Sequence, residues 1–334
     1  MINSSLLEKC DLFAENFQTL RKNFKWDYAL MHHLGALYYT DADLAVNVEA
    51  IKDAKEMIKK NTGLFSAFRE TTFFALAVML SLEPDPKELF NRSFDIYGDL
   101  KKAGLYGSPF LTLAAASIAK RTDLTDTGTV VLRAKEFYDA MKKKHRFLTS
   151  TDDYGYAAML AISGLPVEGA VREMETCYDY LKKDLGSGNA LQSLTHVLTL
   201  GEETAEVKCS RAIEIYKRLS EKGCKLSKYD QLASFGILVL ITEDVDKITE
   251  DIKDIYEVLL EKKGFGKWSV TKHQRTMYAA ALAASDYISG CRKNAMDMTL
   301  ASSITSIVTA QQTAMIIAAS SAAAAAAASS SSSS

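Results

Sequence analysis

Proline is nearly missing from this sequence, with four in 334 residues. Average usage of roughly 5% would give about 17. The shortage excludes a turn-dominated fold and leaves room for long uninterrupted helices. Cysteine is sparse as well. Cys10, Cys177, Cys209, Cys224 and Cys291 are far apart and never form a Cys-x-x-Cys pair. That pattern excludes a disulfide framework or zinc ribbon and points to reduced thiols in a cytoplasmic protein. An excess of one charge is also lacking: 40 basic residues face 42 acidic ones, for a formal net charge of −2. Nucleic acid is therefore not an expected partner, because gripping its phosphates takes a basic field. Residues 1–9 lack the basic region and apolar run of a secretory signal. No stretch alternates with period two, so the chain reads as all-α.

What the sequence does have is a repeat. An aromatic residue is followed three positions on by Leu or Met, and often then by paired lysines. The pattern runs Tyr97…Leu100-Lys101-Lys102, Tyr138…Met141-Lys142-Lys143 and Tyr178…Leu181-Lys182-Lys183, then more loosely Tyr216…Leu219 and Tyr256…Leu259. These tyrosines are 41, 40, 38 and 40 residues apart. Two degenerate copies, around Phe17…Leu20 and Lys55…Ile58, precede them and bring the number of units to seven. A small polar residue suited to a helix N-cap follows in register at Ser66, Ser108, Ser150, Asn189, Ser227 and Ser269. Each unit thus reads as helix A, a loop, helix B and a short acidic turn. Pro84, Pro86, Pro109 and Pro166 all fall at unit or helix boundaries. Helix A carries an apolar stripe such as Val171, Met174, Tyr178 and Leu181. Helix B is richer in small residues, as in Ala114-Ala115-Ala116, and is expected to be the inner one.

Helix pairs of this length stack on their neighbours to bury a continuous core. The expected fold is a right-handed α-α superhelix, a solenoid of about seven antiparallel pairs over residues 1–290. A C-terminal capping helix is expected over 291–317, followed by an Ala/Ser tail over 318–334. A closed α/α toroid uses the same pairs and is the alternative. Ser, Thr and Gln are frequent in the uncharged tail, which argues against a membrane span.

Residues that could carry chemistry are few. His32-His33 are neighbours on a helix, so their rings diverge by about 100° and do not converge on one metal. The run Thr242–Lys247 lacks the ligand alternation and glycine of a calcium loop. Acids of this kind recur before other A helices, and lysine pairs recur at A-helix ends. Both follow the helix dipole and predict one acidic and one basic edge. Gly264–Ser269 and Gly186–Asn189 are turns rather than phosphate loops. The sequence identifies no catalytic, cofactor-binding or metal-binding residue, and no cofactor is expected. Aromatic and arginine residues gather in the A–B loops: Trp26, Phe68, Arg69, Tyr106, Tyr154, Tyr229 and Trp268. Aligned on one edge they would form a recognition strip for a protein or peptide; folded back, they would close the gap between A and B.

The segments Thr62-Gly63-Leu64-Phe65-Ser66-Ala67-Phe68-Arg69, Tyr106-Gly107-Ser108-Pro109-Phe110-Leu111-Thr112-Leu113-Ala114-Ala115 and Ala310-Gln311-Gln312-Thr313-Ala314-Met315 resemble a bacterial family. It is the domain-of-unknown-function family numbered four thousand and three, and the resemblance spans nearly the whole chain. It implies a soluble cytoplasmic protein with no catalytic residues to carry over. The functional expectation is a non-enzymatic scaffold that binds a protein or peptide on its concave face. An enzyme on a toroid, with its site lined by inner helices, is the alternative, and membrane tethering through the tail is a second.

Overall fold

The computed structural model describes residues 2–25, 27, 29–121, 126–228 and 232–294. Among them are fourteen α-helices and no strand. The helices form seven antiparallel pairs: α1 (Ser4–Asn23) with α2 (Ala29–Asp41), α3 (Val48–Asn61) with α4 (Phe73–Ser81), α5 (Pro86–Lys102) with α6 (Pro109–Ala119), and α7 (Thr127–Lys144) with α8 (Tyr154–Ile162). The series continues with α9 (Val167–Leu185) and α10 (Asn189–Leu198), α11 (Ala205–Glu221) and α12 (Ala233–Ile241), and α13 (Val245–Glu261) and α14 (Lys272–Asn294).

Burial separates the two helices of each pair. In α9 the buried residues are Ala170, Met174, Cys177, Leu181 and Leu185, one stripe at steps of three and four. In α8 every residue is buried, and in α10 every residue from Ala190 to Leu198. The B helices are therefore the inner ones. Small residues let them approach closely: a Cβ added at Gly236 of α12 would lie 2.9 Å from Leu194 and 3.0 Å from Val197, both in α10.

Loop chemistry sets the helix boundaries. Ser108 caps α6 by accepting from the Leu111 N–H at 3.2 Å, and Pro109 takes the first helical position. Ser66 and Ser150 begin short 3₁₀ turns ahead of α4 and α8, at Ala67–Arg69 and Thr151–Asp153. Asn189 is the first residue of α10, after Gly188. One expected cap, Ser269, is displaced. Helix α14 starts behind Thr271, which exchanges side-chain bonds with Gln274 at 2.9 and 3.1 Å, so Ser269 lies two residues early. Residues 229–231, which follow the expected cap Ser227, lie outside the described residues.

The arrangement corrects the expected open solenoid. Consecutive A helices touch from α1 through α3, α5, α7, α9 and α11 to α13, and α13 then packs on α1. The B helices repeat the sequence from α2 to α14, and α14 packs on α2. The seven pairs close into a ring, which is the toroid alternative. The seam repeats an interior contact. His145, one residue past the end of α7, meets Glu175 in the middle of α9 at 2.9 Å. Lys222, past the end of α11, meets Glu250 in α13, and Lys262, past the end of α13, meets Asp11 in α1. Each pair is offset from the next by the same stagger, so the seventh meets the first as it would an eighth. Phe265 fills the seam, with its ring 4.8 Å from Phe13 and 5.1 Å from Phe17. His33 is sandwiched between Phe17 at 4.0 Å and Tyr278 at 4.9 Å. All five side chains are buried. An open stack would expose them, at about 1.5–3 kcal/mol for each large apolar group.

The end that a capping helix would cover is thus covered by α1 and α2. The expected capping segment, 291–317, begins within α14, which runs without a break to Asn294; the rest of it and the tail lie outside the described residues. No helix among the described residues is long and apolar enough to cross a membrane.

Candidate functional site

Because every A helix runs in the same sense, all A–B loops lie at one end of the ring. They bond to one another there. The Tyr106 N–H donates to the Tyr154 hydroxyl at 3.0 Å, Lys228 Nζ to the Asp184 carbonyl at 2.6 Å, and His273 Nδ1 lies 2.7 Å from the Lys225 carbonyl. These bonds join neighbouring loops into a rim.

The rim residues singled out from the sequence divide into two groups. Phe68 is buried, with ring contacts to Tyr97 at 5.0 Å and Phe94 at 5.5 Å. Arg69 donates from Nε to Thr62 Oγ1 at 3.0 Å and from Nη2 to the Thr62 and Lys59 carbonyls, tying off the end of α3. Tyr154 is buried against Tyr138 at 4.7 Å, and burial pushes its hydroxyl up to about 12. These three close the gap between A and B and do not line an exposed strip. Tyr106 and Trp268 point to solvent. Trp26 and Tyr229 lie outside the described residues.

The loop holding Leu64 and Phe65 stands out in the sequence, but the candidate contacts named from it leave out both, and Phe147 as well. The five most exposed large apolar side chains among the described residues are Leu64 and Tyr106 at 74%, Phe65 at 96%, Phe147 at 98% and Trp268 at 102%. All five lie in A–B loops. The available signal was an apolar residue with no helical-period partner, set between helices in a basic or glycine-bearing stretch: Gly63-Leu64-Phe65, and Arg146-Phe147 after Lys142–Lys144.

Charge is sorted along the same axis. A-helix last turns bring Lys59 and Lys60, Lys101 and Lys102, Lys142 to Lys144, and Lys182 and Lys183 to the rim. Hydrogen bonds to Asp99 and Asp179 raise the Lys102 and Lys182 ammonium groups above the usual lysine range. Lys60, Lys143, Lys144, Arg146, Lys263 and Lys267 are exposed and have no carboxylate partner among the described residues. The opposite end is acidic. There Asp85, Asp126 and Asp244 cap A helices by accepting from the N–H groups of Glu88, Thr129 and Lys247 at 2.9, 3.0 and 2.9 Å.

Polar residues also converge inside the ring, between α8 and α10. Asp153 is buried and accepts from the Ser150 N–H at 2.9 Å. Burial, and then the charge of Asp152, push its carboxyl up to about 8. Burial takes the His196 imidazole down to about 3, and its ring lies 5.2 Å from Tyr156. Gln192 Nε2 donates to Thr149 Oγ1 at 2.8 Å, while Gln192 Oε1 and His196 Nδ1 have no hydrogen-bond partner among the described residues. At neutral pH this belt holds a neutral acid and a neutral imidazole, both enclosed by packed helices. Asp153 and His196 are each 1% exposed. The inner face along α8 and α10 therefore provides no exposed concave groove for a peptide.

A cavity of about 480 Å³ lies at the seam, lined in part by Glu8, Lys9, Asp43, Asp286, Ser289 and Gly290. Four of its polar side chains are paired: Lys9 meets Asp43 at 2.7 Å, and Ser5 bonds Asp286. His32 and His33 turn to different neighbours, His32 Nε2 lying 2.8 Å from the Phe24 carbonyl. Among the described residues no group of three or more His, Cys, Asp or Glu side chains could hold a metal ion.

A family model described as "Protein of unknown function (DUF4003)" matches residues 16–313. The chain is 26% identical over 322 residues to a protein of Bacillus subtilis (strain 168) described as "Uncharacterized protein YeaA". That alignment covers 93% of this chain and 94% of the relative. No solved structure matches the chain significantly.

Proposed function

The chain belongs to the DUF4003 family, and within it we propose a non-enzymatic docking protein that uses the A–B rim of its ring to bind an anionic surface that apolar side chains can enter. One observation carries the reading. Among the described residues, every large apolar side chain at 74% exposure or more lies in an A–B loop, beside the lysines that end the A helices. Exposed apolar groups scattered over a surface are ordinary; their confinement to one end is not. The ring is the frame that holds the loops, and its buried inner helices keep them in fixed relation.

Fractionation of host cells tests this reading. The native chain is expected in a high-mass fraction from which salt releases it. The Phe65→Ser, Tyr106→Ser, Phe147→Ser, Trp268→Ser variant, with an unchanged melting temperature, is expected in the free pool. Identical distributions for the two would end the docking reading.

A further inference from the structure

Resting on that docking reading, we infer that the surface met by the rim is an anionic phospholipid bilayer, bound peripherally. Phe65, Phe147 and Trp268 stand free of neighbouring side chains at loop tips. They belong to the second, fourth and seventh pairs, with Tyr106 on the third. Ring closure sets the seventh pair against the first, so the second, third and fourth pairs are consecutive and the seventh stands one pair away from the second, across the first. Tips at one end of the ring face the same side of the molecule. Aromatic side chains enter the boundary between headgroups and acyl chains, with basic residues at headgroup level beside them.

The charge pattern fits the same side. Lys143, Lys144 and Arg146 flank Phe147, and Lys263 and Lys267 flank Trp268. The carboxylate caps of the A helices lie at the far end. A chain of net charge −2 thus turns a basic face to an anionic membrane and keeps its acidic face away. Each Lys or Arg at such a surface multiplies partitioning by roughly fivefold, an effect that salt screens over about 8 Å. A single nucleic-acid strand fits less well. It needs ring platforms along a continuous groove, and Leu64 offers no ring. A protein partner would call for one contiguous apolar patch, whereas these side chains are separated by turns.

Co-sedimentation of the full chain with vesicles tests the inference. Vesicles of phosphatidylcholine mixed with phosphatidylglycerol are compared with phosphatidylcholine alone, and an oligothymidine strand is the third probe. Expected are binding to the anionic vesicles only, loss of binding in high salt, and a blue shift of Trp268 emission in a Trp26→Phe background. Both Phe65→Ser/Phe147→Ser and Lys143→Gln/Lys144→Gln/Arg146→Gln are expected to weaken binding at least tenfold without changing the melting temperature. The inference is overturned if anionic vesicles are not bound, or if both variants bind them as the native chain does. Binding of oligothymidine in place of vesicles would overturn the lipid and leave the docking rim standing. If no probe is bound and the rim variant also fractionates like the native chain, the docking reading falls as well.

Discussion

Replacing Gly264 with alanine probes the place where the last helix pair meets the first. The residue sits at φ +95° in the loop between α13 and α14. A Cβ built there would fall 2.3 Å from Cε1 of Phe17 and 3.0 Å from Nε2 of Gln18, both in α1. Two costs add. Holding a non-glycine residue in the left-handed region costs about 1–2 kcal/mol, and forcing a methyl into a packed site typically costs about 1–3 kcal/mol. Together they predict a loss of about 2–5 kcal/mol in urea unfolding. Only the second cost depends on Phe17, and that separates the two. Phe17→Leu destabilises on its own, because the ring stacks on His33 and packs against Phe265. Once it is made, however, the added methyl has room. A double-mutant cycle of Gly264→Ala with Phe17→Leu should therefore show a favourable coupling of about 1–3 kcal/mol. Hydrogen exchange in the Gly264→Ala protein should speed up in α1, far away in sequence. Additivity within about 0.5 kcal/mol, with α1 as protected as in the native chain, would refute the packing described.

Three further outcomes follow from the buried polar groups. Asp153 is pushed up to about 8 when folded, so between the ordinary carboxylate range near 4 and pH 8 the folded state binds more protons than the unfolded one. Stability should accordingly fall as pH rises through that window, and Asp153→Asn should flatten the profile; parallel profiles in urea titrations would contradict this. His196 is taken down to about 3, so its contribution is present above the unfolded value near 6.5 and is lost as pH drops below it. His196→Gln should weaken that acid limb. Arg275 is buried with bonds to the Phe265 carbonyl at 2.7 Å, the Tyr256 hydroxyl at 2.9 Å and the Val270 carbonyl at 3.4 Å. A lysine head cannot span all three acceptors, so Arg275→Lys should cost at least about 1–3 kcal/mol, read from the same unfolding assay.

The period near 40, the seven pairs and the inner position of helix B were legible because each reflects a local rule: an apolar stripe, a boundary proline, a cap. The caps show the limit of that legibility. Ser108 is where the pattern places it, whereas Ser269 gave way to Thr271, whose partner Gln274 makes a reciprocal box. Closure was not legible. It depends on the small rotation between successive pairs summed over seven, and no residue spacing encodes that sum. Phe13, Phe17 and Phe265 read as ordinary core residues whether the ends meet or part. The rim was half legible. Phe65 and Phe68 are three residues apart in one segment, and the 3₁₀ turn at Ala67–Arg69 carries Phe68 inward while Phe65 stays out. Composition cannot separate the two.

Zero-length carbodiimide coupling, read by peptide mass spectrometry on the monomer, tests the closed ring most directly. Lys262 and Asp11 form an ion pair across the seam with side chains 32% and 47% exposed. Lys222 and Glu250 form the equivalent interior pair at 31% and 57%. Reagent reaches both alike, so a closed ring predicts 11–262 and 222–250 linked peptides in comparable yield. Formation of the 222–250 link without the 11–262 link would contradict closure.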